Sequence, residues 1–135
     1  IIMATTRFRG PVLQGKFNEG GATGFNLNEK TAAYAVVIGD SGMTFTSPSG
    51  SPTFTLPAVA ANEGSVFTFV NTGSDGTNEV VVTGAAGEFI TYKGVVAQIT
   101  LTNTKATSKV GDFCKIGGNA AGTAWQVLDI QGVWA

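Results

Sequence analysis

What this chain can fold into is limited first by its punctuation. From about residue 32 onward, turn-forming clusters recur at intervals of roughly eight to twelve residues, the spacing of a sandwich or barrel. They include GDSG at 39–42, SPSGSP at 47–52, GSDG at 73–76 and GGNAAG at 117–122. Between them lie short runs rich in threonine and valine, and with 19 glycines in 135 residues the mix works against helix interiors. The longest glycine-poor stretch, 95–110, carries Ile99, Thr100, Thr102, Thr104 and Thr107, whose branched side chains suit a pleated surface. Only PAVAANEG at 57–64 has room for a single helical turn.

The strands expected on this reading cover 33–38, 43–46, 53–56, 66–71, 79–83, 88–92, 98–103, 112–116 and 125–130. Several alternate, which assigns one face to a core. Phe54 and Leu56 point one way and Thr53 and Thr55 the other; Phe67 and Phe69 share a face; Ile99 and Leu101 are expected to turn inward. The fold class predicted is all-β, a single β-sandwich or partly closed barrel of about eight or nine short, mostly antiparallel strands. Residues 1–31 differ, with scattered apolar positions among glycine, asparagine and charge, and are expected to form an extended N-terminal arm ahead of a β-domain at 32–135. Such a segment buries too little surface to offset a backbone entropy cost of about 1–2 kcal/mol per residue, so it needs something to dock on.

Charge and residue counts remove many functions. Only 13% of residues are charged, against roughly 25% in ordinary soluble proteins, which points to surface hidden against partners. With a net charge of −1 and no broad basic field, nucleic acid is not an expected partner. Nor is a membrane, since no apolar run approaches the roughly 18–20 residues that span one, and no secretory leader is recognisable. A single cysteine, Cys114, excludes an intramolecular disulfide, fits synthesis in a reducing cytoplasm, and reads as a small buried residue of a strand. The absence of histidine rules out Ser-His-Asp and Cys-His relays and imidazole-based zinc sites. No phosphate-binding glycine loop is present, so no cofactor is expected. The turn GSDGTNE offers Asp75, Asn78 and Glu79 as oxygen ligands, but without the EF-hand spacing it reads as a plain hairpin turn. Trp125 and Trp134 bracket the run WQVLDIQGVW; both can plug the core or its end, and Trp134 can alternatively anchor a subunit contact.

The succession AYAVVIGDSGMTFTS, SPTFTLPAVAANEGSVFTFVNTG, NEVVVTGAAGEFITYKG, AQITLTN and AWQVLDIQGVW, spanning 33–134, resembles a β-module that recurs in tailed-phage virion proteins, both in small head-decoration proteins and in tail-fibre or tailspike segments. The resemblance implies a non-enzymatic structural protein with no catalytic residues. Small size and a leading arm favour a capsid decoration, or cement, subunit on the outer surface of the virion, bridging capsomers of the major capsid protein as a symmetric homo-oligomer, with a trimer as the expected form. Contact with the shell is expected from Arg7, Phe8, Arg9, Val12, Leu13 and Phe17, with Trp134 at a subunit boundary. The alternatives are a tail-fibre, tailspike-base or adaptor component, and, from another class, a carbohydrate-binding module that stacks a host-surface glycan on Tyr34, Tyr92 or Trp125.

Overall fold

Strict alternation of bulky and small residues creates two sheets whose inner faces meet. The computed structural model describes residues 26–135, which form eleven strands. These are β1 (Asn26–Glu29), β2 (Tyr34–Ala35), β3 (Met43–Ser47), β4 (Thr53–Thr55), β5 (Val66–Asn71), β6 (Val80–Thr83), β7 (Phe89–Tyr92), β8 (Val95–Gln98), β9 (Thr100–Asn103), β10 (Phe113–Gly118) and β11 (Ala124–Gln131). One sheet has seven strands in the order β1-β3-β5-β10-β11-β7-β8; the other has four in the order β2-β4-β6-β9. Two short 3-10 turns, Ile38–Asp40 and Ala85–Gly87, complete the regular structure among the described residues.

Expected and observed strands agree closely for β3 to β7 and for β10 and β11. The all-β class holds, but the single, mostly antiparallel sandwich or barrel does not. Both sheets are open, and β1-β3, β3-β5, β2-β4, β4-β6 and β7-β11 pair in parallel, whereas β5-β10, β10-β11, β6-β9 and β7-β8 are antiparallel. The reason is the path of the chain. Through the first six strands it changes layer at every turn, so β1, β3 and β5 stack in one sheet and β2, β4 and β6 in the other. A chain that crosses to the opposite layer and returns re-enters its own sheet in the same direction. These six strands form a flattened coil, after which β7-β8 and β10-β11 are hairpins and β9 joins the small sheet beside β6.

The core lies between the layers. Phe45, Phe54, Phe67, Phe69, Leu101, Ile116 and Trp125 are fully buried, with Leu56 and Val59 beside them. Phe54 from the small sheet packs 4.9 Å from Phe69 and 5.4 Å from Phe45 of the large sheet, tilted at 48° and 44°. Such offset aromatic pairs add roughly 0.5–1.5 kcal/mol to what burial alone contributes.

Three local expectations are corrected. The stretch 33–38 yields only the two-residue β2, because Val37 and Ile38 enter a 3-10 turn and lie exposed. The stretch 98–103 splits into parts of two different sheets, so Ile99 falls on the corner and is 41% exposed instead of turning inward. Asn26–Glu29, expected within the arm, is paired in the large sheet beside β3.

Candidate functional site

Inward parity continues one step beyond the apolar residues at one end of the layers, and there it changes chemistry. Ser47 follows Phe45 by two positions, Asn71 follows Phe69, Asn103 follows Leu101, Asn78 precedes Val80 and Asp112 precedes Cys114. All five are almost fully buried. A buried amide or carboxylate is tolerated only when its hydrogen-bonding capacity is met, and these side chains meet one another's. Asn71 Nδ2 donates to Asn103 Oδ1 at 2.8 Å and to the Asn78 carbonyl at 3.0 Å, while its Oδ1 accepts from the Gly73 N–H at 3.0 Å. Asn78 Nδ2 donates to the Ser47 carbonyl and hydroxyl, each at 3.0 Å. Asn103 Nδ2 donates to Asp112 Oδ2 at 2.9 Å and to the Val133 carbonyl at 3.0 Å. The network ties β3, β5, β9 and β10 to the segment after β11. It is a structural clamp that periodicity alone does not reveal, because Asn71 and Asn103 stand at strand ends and Asn78 in a turn, where a polar residue is ordinary.

The carboxylates and aromatics singled out in the sequence separate. Asp75 is exposed; it accepts from the Val110 N–H at 2.9 Å and meets Lys109 Nζ at 3.3 Å, and these two contacts hold its carboxyl below the usual range. Asn78 turns inward to the clamp, and Glu79 reaches the Lys105 N–H at 3.4 Å, so the three oxygens of this turn do not converge. Among the described residues no group of three or more acidic or cysteine side chains gathers as a metal site. Cys114 is buried, which pushes its thiol well above the ordinary range.

Trp125 is fully buried against Phe67 and offers no ring to a sugar. The Tyr34 ring carries Lys30 Nζ at 3.9 Å from its centre, and its hydroxyl donates to Asp40 Oδ2 at 3.0 Å, which raises the phenol above its ordinary range. Trp134, one of the contact residues expected from the sequence, is only 4% exposed and joins the core, its Nε1 donating to the Gln131 carbonyl at 2.9 Å. That removes it from the surface a neighbouring subunit would meet. Arg7, Phe8, Arg9, Val12, Leu13 and Phe17 lie outside the described residues.

What the fold leaves facing outward differs between the layers. The register places Thr53, Thr55, Thr83, Thr100 and Thr102 on the outer face of the small sheet, where the Thr83 and Thr100 hydroxyls meet at 3.3 Å. The outer face of the large sheet is mixed and carries larger apolar side chains. Leu27, Val66, Val70, Phe113, Leu128 and Phe89 share it with Thr44, Thr46, Thr68, Thr91, Gln126 and Gln131. Leu128 is the extra residue of a bulge between the Ile116–Val127 and Lys115–Asp129 partners, and it lies flat over Gly117, where a Cβ would come within 2.8 Å of its Cδ1. Leu27 and Leu128 are 59% and 50% exposed. Glu29, Lys115 and Asp129 are the ionisable groups the register brings to this face. Where β7 parts from β11, a groove of about 440 Å³ opens between Thr91–Lys93 and Gln126–Ile130. The sequence matches no family model and no curated protein.

Proposed function

We propose that this chain is a non-enzymatic structural subunit of a tailed-phage virion, a decoration protein that seats on the outer capsid surface and bridges capsomers of the major capsid protein. The observation that carries the reading is the group of large apolar side chains, Leu27, Phe89, Phe113 and Leu128, that the outer face of the seven-stranded sheet presents. A face spread over seven strands with few ionisable groups suits broad, flat docking better than capture of a small molecule. Burial of such a face stabilises an assembly by roughly 25 cal/mol per Å² before the costs of association. The motif succession from 33 to 134 and the low charge content point the same way. In this reading Arg7, Phe8, Arg9, Val12, Leu13 and Phe17 of the arm supply further contact with the shell.

The test uses purified undecorated shells and the full chain. Wild-type protein is expected to cosediment with the shells, and Leu27→Lys combined with Leu128→Lys to reduce binding at least tenfold while leaving the circular dichroism spectrum unchanged. Undiminished binding by the folded double variant, or binding only to isolated tails, would contradict the proposal.

A further inference from the structure

A sheet edge exposes unpaired backbone donors and acceptors, and proteins that stay single blunt such edges with charge, proline, brevity or a covering segment. Three of the four edges among the described residues are blunted. β9 is covered by Ala135, whose backbone exchanges bonds of 2.7 and 2.9 Å with Thr102. β2 is two residues long and has the Lys30 ammonium over its Tyr34. β1 ends in Glu29, followed directly by Lys30.

The fourth edge is different. β8 reads Val95-Val96-Ala97-Gln98, with no ionisable group and no proline. Among the described residues it pairs with β7 on one side and with no strand on the other, and Val95 and Val96 are 50% and 65% exposed. Ile99 at its end and Phe89 on the adjoining β7, 41% and 40% exposed, extend the apolar strip.

We propose that β8 is a self-association edge, pairing antiparallel with β8 of a second copy about a two-fold axis. A second copy fits because the edge is self-complementary: whichever residue lies on the axis, valine, alanine and glutamine face one another and no like charges meet. A ring of three built through sheet edges needs two different complementary edges, and the other described edges are blunted, so this edge predicts a pair in place of the trimer expected from the resemblance. The bulge between Ile90 and Tyr92 limits the regular edge to about these four residues, so the pair is concentration-dependent in solution and is strengthened where a surface holds many copies together. The inference identifies the self-contact that the decoration reading calls for and rests on that reading only for its setting.

Analytical ultracentrifugation of the full chain tests it without any shell. The sedimenting mass is expected to rise from one copy towards two with concentration, Val96→Lys to remain a monomer with an unchanged circular dichroism spectrum, and Val96→Thr to dimerise. In an antiparallel two-fold pair one residue faces its own copy, so one of the single variants Val96→Cys and Ala97→Cys is expected to form an intermolecular disulfide, with buried Cys114 giving little background. A wild-type protein that stays monomeric at all concentrations, or a trimer, or any oligomer indifferent to Val96→Lys, would overturn the proposal. Shell binding by a monomeric wild-type protein would overturn self-pairing alone, whereas a Val96→Lys-sensitive dimer that ignores shells would overturn the decoration reading and leave β8 pairing intact.

Discussion

Single residues in this protein act mainly through burial. Cys114 sits among core side chains, and because water cannot reach it the thiolate is disfavoured. Its folded pKa lies above the unfolded one, so its contribution to stability is fully present below the ordinary thiol range and is lost as pH rises through the folded value. Cys114 is expected to resist a thiol reagent in the native state at neutral pH and to react at once in denaturant, and the urea midpoint should fall between pH 8 and pH 10. Rapid native labelling would contradict its placement. Asp75 has the opposite sign: its depressed pKa means that any contribution exists above the usual aspartate range and disappears as pH falls, and exposure keeps it small. In the clamp, Asn103→Ala removes bonds to Asn71, Asp112 and Val133 together. Each buried polar group left without a partner costs about 1–3 kcal/mol, so a loss of about 2–4 kcal/mol is expected in urea unfolding. Gly132→Ala should be comparably damaging, because its φ of +95° disfavours a side chain and the added carbon would strike the Asp112 carboxylate.

At the scale of elements, what could be read in the sequence followed from uninterrupted alternation. VFTFVN became β5 over the expected residues because the bulky positions, Phe67 and Phe69, all face the core. Pairing direction was not legible, since a period of two is the same in parallel and antiparallel strands, and direction depends on the layer to which each turn delivers the chain. The split at Ile99 was hidden for a related reason: VVAQITLTN has no turn residue although it crosses from one sheet to the other. β1 was lost among the glycine and asparagine around it. The clamp did leave a signal, a polar residue at inward parity one step past each buried apolar run, and that parity argument distinguishes Asn71 and Asn103 from ordinary turn asparagines. The β8 edge likewise shows in sequence as an apolar run without a gatekeeping charge, but only its place at the end of the sheet order gives that run significance.

For the whole molecule, the two outer faces differ: threonine dominates that of the four-stranded sheet, whereas that of the seven-stranded sheet adds Leu27, Phe89, Phe113 and Leu128 to threonine, glutamine and three ionisable groups. The proposed docking rests on that asymmetry. A layered body with five buried polar side chains closed into a network at one end, and with large apolar side chains on one broad outer face, suits the proposed docking on a surface. The measurement that tests this most directly is an image of the intact particle at a resolution that traces strands. It is expected to show many copies on the head, each with the outer face of the seven-stranded sheet, around Leu27, Phe113 and Leu128, pressed against the shell. Copies whose seven-stranded face points into solvent, or particles that lack the protein on the head, would contradict the account.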